Sequence, residues 1–270
     1  MQENIYVWTT FINNKDYLDG AHVLAYSLEV VKSKYKLIIF YPHDFDLQKN
    51  NKLTNIIYTP IKQLVYMSHL HARKNYSYCI NKIYSWTLTT YAKVCWIDSD
   101  MIFLQNSDAI FDYIIEEDEI AAASGCTCNT FNNKTLPTLC STCPFNNINN
   151  TNTNTHTNTT SNNIYINAGL ILLKPNINIY NSLLTENYTY PLVEQDAFNI
   201  IFKNKIKVLD SKYNYINNLE FAHASYVCNI HIFHFAYGKP WDDVDKTGNI
   251  SHTYDDIYTL WKKYKKMIDI

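Results

Sequence analysis

The sequence predicts an α/β protein with a mainly parallel central sheet. Two observations predict this class: apolar runs of strand length alternate with segments of helical spacing, and 47% of the 270 residues are hydrophobic, which is ample for a large core. Strand, helix and strand in succession imply right-handed crossovers, which make neighbouring strands parallel. We expect one domain over residues 1–270.

Four apolar runs have the length and β-rich composition of strands. They are residues 4–10, 36–41, 55–59 and 93–97. Proline cannot donate to a strand ladder, so we expect Pro60 to end the third run.

Three segments instead repeat apolar residues every three or four positions, as an amphipathic helix does. They are residues 20–31, 80–91 and 254–264. The second of these runs directly into the last predicted strand. The third ends in a basic stretch that we interpret as a solvated helix face.

The charge balance excludes some classes of partner. Lys and Arg number 23 against 25 Asp and Glu, and no basic block stands out, which argues against nucleic-acid binding. The apolar runs are too short to span a membrane. The N-terminus lacks the pattern of a secretory signal, so we expect a cytoplasmic protein with its seven cysteines reduced.

An insertion is predicted at about residues 126–163. Nine Asn and six Thr fill the eighteen positions 146–163, a composition that cannot form a core and predicts a flexible loop. Four cysteines precede it, as Cys126-x-Cys128 and Cys140-x-x-Cys143. Paired thiolates can bind zinc, but unligated thiols or a disulfide are the commoner outcome, and we expect one of these.

The most informative pattern is Asp98-Ser99-Asp100 at the end of the apolar run 93–97. Strand ends face the ligand crevice in parallel sheets, and two carboxylates so spaced can converge on a divalent cation. Such a cation can neutralise a diphosphate leaving group. Solvated turn aspartates are the simpler interpretation. Haloacid-dehalogenase-like phosphatases also use an Asp-x-Asp, but theirs follows the first strand and continues with Gly-Thr rather than Met101-Ile102.

The surrounding residues resemble the glycogenin-type, family 8 glycosyltransferases. Those proteins place a lysine-bearing helix, Tyr-x-Lys and an apolar strand before Asp-x-Asp, and here Lys82, Tyr91 and Lys93 stand in that order. Further motifs follow in the family's order: Leu104 to Asp108, Asn167-Ala168-Gly169, Glu194-Gln195-Asp196, His234-Phe235 and Lys239-Pro240-Trp241. The segment between His234 and Lys239 is one residue shorter than in the family, and the cysteine-containing insertion is additional.

The resemblance implies a role for each motif. Asp98, Asp100 and His234 would hold Mn²⁺, or Mg²⁺, together with the diphosphate of a UDP-sugar, and Lys239 would bind that diphosphate. Other donor contacts would come from Thr9, Thr10, Tyr17, Arg73, Lys82, Ser99, Asn167 and Gly169. Glu194, Gln195 and Asp196 would lie at the reacting face of the sugar. Acidic residues also favour a helix start, so at least one of these three has a purely structural explanation.

The same resemblance implies a single Rossmann-like domain of the glycosyltransferase-A type. It would move glucose or galactose to an acceptor with retention, and we favour same-face attack over a covalent intermediate. Glycogenin glycosylates its own tyrosine, which makes Tyr213, Tyr215 and Tyr226 candidate acceptors here. A catalytically inactive nucleotide-sugar-binding protein is the non-enzymatic alternative, and a homodimer is a further expectation.

Overall fold

The computed structural model describes residues 6–70, 74–126, 128, 143–145, 164–217, 219, 229–242 and 254–269. A seven-stranded sheet forms its centre, in the order β3-β2-β1-β4-β7-β6-β8. The strands are β1 (Tyr6–Phe11), β2 (Leu37–Pro42), β3 (Ile56–Ile61), β4 (Lys93–Ile97), β6 (Ile120–Ser124), β7 (Ile166–Leu173) and β8 (Ile206–Leu209). Within this sheet β7 alone runs against its neighbours, so the predicted mainly parallel α/β class is confirmed.

A second, three-stranded sheet lies beside the first. It consists of β5 (Met101–Phe103), β9 (Tyr215–Ile216) and β10 (Ile232–His234), with β10 in the middle. Because β5 follows β4 after only three residues, this small sheet begins at the carboxyl end of a central strand. The antiparallel pairing of β10 with β5 places His234 opposite Met101.

Helices cover both faces of the central sheet. They are α1 (Lys15–Val30), α2 (Ile177–Leu184), α3 (Glu194–Ile201) and α4 (Asp255–Asp269), with 3-10 helices at Lys74–Thr87, Asp108–Asp112 and Ser211–Tyr213. Side chains alternate across β1, so that Trp8 packs with Leu24 and Leu28 of α1 while Val7 packs with Ile83 on the opposite face. Among the described residues, no helix combines the length and apolar character needed to cross a bilayer.

Most predicted bounds shift by one or a few residues, and three differences from the sequence prediction have a clear local reason. Helix α1 starts at Lys15 rather than residue 20, because the Asn14 side chain accepts a hydrogen bond from the Tyr17 amide at 3.0 Å and caps the helix. Strand β3 continues through Pro60, which pairs with Tyr41. A proline is tolerated there because β3 is an edge strand of the described sheet.

The third difference is the predicted helix over residues 80–91, which is instead a 3-10 helix ending at Thr87. A 3-10 helix has three residues per turn, and the buried residues Ile80, Ile83 and Trp86 follow that period. The Asn/Thr-rich residues 146–163 lie outside the described part of the chain, so the prediction of a flexible loop there stays a prediction.

Candidate active site

The two aspartates lie where the central sheet meets the small sheet. Strand β4 ends at Ile97, Asp98-Ser99-Asp100 makes the turn, and β5 resumes at Met101. The pairing of β10 with β5 brings the His234 ring to this turn, with Nε2 at 3.5 Å from Oδ1 of Asp100. One oxygen of each aspartate and one ring nitrogen of His234 all lie within 4.8 Å of one another. The structure therefore brings together the three metal ligands expected from the sequence.

These groups face a cavity of about 350 Å³. The cavity opens at the carboxyl ends of β1 and β4, where ligands bind in open α/β sheets. Its polar wall includes Tyr17, Lys82, Asp98, Ser99, Asp100, Asn167, Glu194, Gln195, His234 and Lys239. Most of the residues that the sequence singled out are thus found around one cavity.

The orientation of His234 is fixed by a residue that the sequence analysis missed. Nδ1 of the imidazole lies 3.0 Å from Oδ1 of the buried Asn214. The amide oxygen can only accept, so Nδ1 is the donor in this contact and Nε2 is the ring nitrogen that faces Asp100. The only signal in the sequence is a polar Asn214 between Tyr213 and Tyr215, and that pattern does not identify its partner.

From Asn214 a chain of hydrogen bonds continues through the cavity wall. The Asn214 amide donates to Oδ1 of Asn167 at 2.9 Å, and the Asn167 amide donates to Oε1 of Gln195 at 3.0 Å. Gln195 donates to the Tyr165 hydroxyl, which donates to Asp196 at 2.7 Å. Each group in this chain donates to the next one towards α3, so a continuous set of hydrogen bonds connects the His234 ring to the first turn of α3.

Two glycines make close approaches that a side chain would prevent. A β-carbon on Gly169 would lie 2.6 Å from Cε1 of His234, and one on Gly20 would lie 2.6 Å from the backbone oxygen of Ser99. Such distances are inside van der Waals contact. Gly169 therefore makes room for the imidazole, and Gly20 lets α1 approach the turn that carries both aspartates.

Lys239 supplies a positive charge to the aspartate turn. Its ammonium contacts Oδ2 of Asp100 and donates to the Phe235 carbonyl at 3.0 Å. Burial by itself raises the pKa of Asp100, but Lys239 and His234 outweigh it and hold that pKa below its usual range. The site therefore stabilises Asp100 as an anion that is paired with a cation.

Lys82 forms a second charged centre at the cavity, on the Asp98 side of the turn. Its ammonium lies 2.6 Å from Oε1 of Glu194 and 3.6 Å from Oδ1 of Asp98, and it donates to the Ala168 carbonyl at 2.8 Å. Burial lowers the pKa of Lys82, but the two carboxylates outweigh this effect and the pKa is raised. Lys82 is therefore a buried cation shared by two acidic groups.

The three candidate residues at the start of α3, Glu194, Gln195 and Asp196, differ in whether they reach the cavity. Glu194 and Gln195 line the cavity, whereas Asp196 does not. Both oxygens of Asp196 are engaged, one by the Tyr165 hydroxyl and the other by the Leu192 amide at 2.9 Å. Among these three, Asp196 thus has the structural explanation that the sequence left open. The preceding Val193 has a φ of 47°, a strained backbone for a β-branched residue.

The expected nucleotide-binding residues of the first strand and helix are only partly at the cavity. Tyr17 lines it and packs edge-on against Trp241, with ring centroids 5.1 Å apart. Thr9 and Thr10 are fully buried and are absent from the described cavity wall, and the Thr9 hydroxyl pairs with Ser85 at 2.8 Å. Phe11, Asn13 and Asn14 line the wall instead. Arg73 lies outside the described residues.

The fold is of the glycosyltransferase-A type. The galactosyltransferase LgtC, solved in complex with donor and acceptor sugar analogs, superposes with a TM-score of 0.62 at 12% identity over 96% of this chain and 95% of its own. The bifunctional glycosyltransferase WbbM gives 0.67 at 15% identity over 97% of this chain, which spans half of WbbM. These likenesses establish the fold.

Residues 9–245 match the model of glycosyl transferase family 8, and the chain belongs to that family. Its relatives include galactinol synthase 1 of Arabidopsis thaliana, 27% identical over all of this chain and 80% of the relative. Galactinol synthase 2 of Solanum lycopersicum is 26% identical over 97% of this chain and 79% of its own length. The resemblance to family 8 is thus confirmed, and the phosphatase alternative is not favoured.

Proposed function

We propose that this chain transfers a hexose, glucose or galactose, from a UDP-sugar to an acceptor, with retention of configuration and with the help of a divalent cation. One observation carries the proposal: Asp98, Asp100 and His234 converge in a single cavity of a family 8 glycosyltransferase. We further propose that residues 1–270 act as one domain.

The residues at the turn fit Mn²⁺ or Mg²⁺. Two carboxylates and one imidazole are a suitable ligand set for Mn²⁺, and the Nδ1 contact with Asn214 leaves Nε2 of His234 available. Asp100 already holds the ammonium of Lys239, which shows that the turn accommodates a positive charge. When bound, the cation would supply charge neutralisation for the diphosphate leaving group.

The chain's own residues would divide the remaining work. Lys239, at the cavity wall, would pair with a diphosphate oxygen as a compact point charge. Tyr17, which lines the cavity and packs against Trp241, would provide an aromatic surface for the nucleotide. Asn167 and Gln195, fixed by their mutual hydrogen bond, would position the sugar.

Same-face attack is favoured because the candidate nucleophiles are engaged. Oε1 of Gln195 accepts from the Asn167 amide and, at 3.1 Å, from the Ala168 backbone N–H, which occupies both of its lone pairs. The Glu194 carboxylate is paired with Lys82. These contacts disfavour a covalent glycosyl intermediate, so retention would result from attack on the face that the leaving phosphate vacates.

The acceptor is the less defined half of the reaction. The relatives' names associate them with galactinol, and a galactinol-forming activity is the acceptor hypothesis that they support. Self-glycosylation is weakened for two of its candidates, because Tyr213 and Tyr215 are buried and the Tyr215 hydroxyl pairs with Tyr254 at 2.9 Å. Tyr226 lies outside the described residues, so its modification stays a hypothesis.

A transfer assay tests the proposal. UDP-glucose and UDP-galactose are each incubated with the protein, with Mn²⁺ or excess chelator, and with no acceptor or with myo-inositol, the cyclitol of galactinol. We expect metal-dependent release of UDP. A disaccharide-like product supports a free acceptor, whereas hexose-sized mass increments on the intact protein support self-glycosylation.

Two variants sharpen the assay. Asp98→Asn removes a proposed metal ligand, and Asp16→Asn removes an exposed carboxylate in the first turn of α1. Only the first should abolish UDP release. Equal turnover by Asp98→Asn, or full turnover in chelator, would contradict the proposed mechanism.

A further inference from the structure

Three cysteine side chains meet beside the cavity. The chain leaves β6 at Ser124 and passes along the cavity wall, where Cys126 and Cys128 lie. Cys143 comes from the separately described segment 143–145 and is fully buried. The three sulfur atoms all lie within 4.8 Å of one another. Two separate segments of the chain, one with Cys126 and Cys128 and one with Cys143, thus bring three thiols together.

The spacing of the sulfurs distinguishes between two kinds of chemistry. Sγ of Cys143 lies 3.8 Å from Sγ of Cys126. A tetrahedral zinc–thiolate site, with Zn–S bonds of about 2.3 Å, has sulfur–sulfur edges of about 3.8 Å. A disulfide requires about 2.05 Å between the sulfurs. The observed separation is too long for a disulfide, and it is compatible both with one edge of a zinc tetrahedron and with a thiol–thiol hydrogen bond.

The backbone of Cys128 contacts Sγ of Cys126 in two ways. The Cys128 N–H donates to this sulfur at 3.3 Å, and the sulfur as a thiol donates to the Cys128 carbonyl at 3.8 Å. The Cys143 thiol and burial raise the pKa of Cys126, so the thiol stays protonated unless a cation binds. Three thiolates at these distances repel one another, so their ionised forms require a cation among them.

We propose that Cys126, Cys128 and Cys143 bind a structural zinc ion that is separate from the aspartate–histidine site. Thiolates are soft ligands that select zinc, whereas the carboxylates of Asp98 and Asp100 suit harder ions. Binding replaces three thiol protons, which are released to solvent, and leaves one tetrahedral position for water or another donor. The proposal departs from the expectation of unligated thiols or a disulfide.

The ion would fix one wall of the cavity. The Gly125 N–H donates to the Tyr165 carbonyl at 2.8 Å, and a β-carbon on Gly125 would lie 2.9 Å from the Asn167 backbone nitrogen. The segment that carries Cys126 is therefore packed against the start of β7. Anchoring this segment to Cys143 would hold Asn167 and its hydrogen bonds in place.

Metal analysis of the full chain tests the site. The protein is purified under reducing conditions from zinc-supplemented cells and its zinc content is measured by mass spectrometry of the metals. We expect about one tightly held zinc per chain. Cys143→Ser should lose it, whereas Cys95→Ala, which removes a thiol in the core of β4, should keep it. Zinc-free wild type, zinc retained in Cys143→Ser, or a Cys126–Cys143 disulfide in peptide mapping would each overturn the proposal.

Cobalt provides a readout that does not depend on the folding of Cys143→Ser. Co²⁺ added to metal-free wild type should produce thiolate-to-cobalt charge-transfer absorption, and added zinc should abolish it. Asp98→Asn should show the same absorption, because the aspartate–histidine site contains no sulfur. Absence of this band in the wild-type protein would refute thiolate ligation independently of any glycosyltransferase activity.

Discussion

Gly169 and His234 touch so closely that no other residue fits at position 169. A β-carbon there would lie 2.6 Å from Cε1 of His234 and 2.8 Å from Oδ1 of Asn167. Gly169→Ala must therefore displace the imidazole and the Asn167 amide, together with the methyl group of Met101, which would lie 2.8 Å away. A shift of about 1 Å in such a group can reduce turnover about 100-fold, and we expect a loss of that order in UDP release.

Ala168→Gly is the control for Gly169→Ala, because it changes the neighbouring position of β7 by removing atoms. It should lower the thermal stability modestly and keep most of the turnover. If Gly169→Ala binds Mn²⁺ and turns over like the wild type, the close contact does not position His234.

The predictable part of the site consists of short motifs. Asp98-Ser99-Asp100 and Glu194-Gln195-Asp196 are recognisable locally, and β4 was predicted with its correct bounds because its apolar run is bounded by polar residues on both sides. Asn214 was not predictable. Its contact with His234 depends on the pairing of β9 with β10, which joins residues about twenty positions apart in no recognisable pattern.

Other differences between the predicted and the observed site arise because a local sequence pattern does not specify how deeply each side chain is buried. The sequence places Thr9 and Thr10 at the end of the first strand, but it does not say which of the strand's last residues reaches the cavity. In the structure the Thr9 hydroxyl is hydrogen-bonded to the Ser85 hydroxyl, and Phe11 is the residue of β1 that lines the cavity. The family resemblance thus locates the strand correctly, while packing decides which side chain is accessible.

Asn214 is expected to position His234. Asn214→Leu removes the acceptor for Nδ1 and the donor to Asn167, and should weaken Mn²⁺ binding about 10- to 100-fold. Asn214→Asp keeps an acceptor for Nδ1 and should retain more of the affinity. Titration with Mn²⁺, followed by electron paramagnetic resonance, measures both. Equal losses in the two variants would indicate a purely structural role.

Asp98 and Asp100 should differ in their effect on stability. Both Asp98→Asn and Asp100→Asn should abolish turnover, since each removes a proposed metal ligand. The Asp98 side chain is 31% exposed, so its loss should cost less than about 1 kcal/mol. Asp100 is 6% exposed and pairs with Lys239, so Asp100→Asn should cost about 3 kcal/mol. Urea unfolding measures the difference, and similar stabilities would contradict it.

His22 predicts a pH dependence of stability away from the cavity. It is buried in α1, 2.9 Å from the Tyr58 hydroxyl, and burial lowers its pKa from 6.5 to about 4. Asp19 and Asp269 oppose this shift, while Lys265 and Lys15 reinforce it. Between these two pKa values the unfolded chain binds more protons than the folded one. Stability should therefore fall as the pH drops from 6.5 towards 4.

The expected size of this effect is about 2 kcal/mol between pH 7 and pH 5. His22→Gln keeps a hydrogen-bonding group near Tyr58 but cannot titrate, so its free energy of unfolding should decline less over the same interval. Urea unfolding at several pH values compares the two proteins. Parallel pH profiles would show that His22 is not the group responsible.

Lys82 and Glu194 should be coupled in stability but not in activity. Lys82→Met leaves the buried Glu194 carboxylate without the ammonium that lies 2.6 Å away, and burial already raises the pKa of Glu194. Loss of one partner of a buried pair typically costs about 3–5 kcal/mol. In Lys82→Met/Glu194→Gln the buried Glu194 charge is gone and only the partly exposed Asp98 carboxylate is left without the ammonium, so most of that stability should return. Turnover should not return, because Lys82 is also proposed to contact the donor.

Urea unfolding and UDP release on the wild type, both single variants and the double variant give the two readouts. Recovery of turnover in the double variant would assign Lys82 to charge compensation alone, and additive losses of stability would show that the two side chains do not interact.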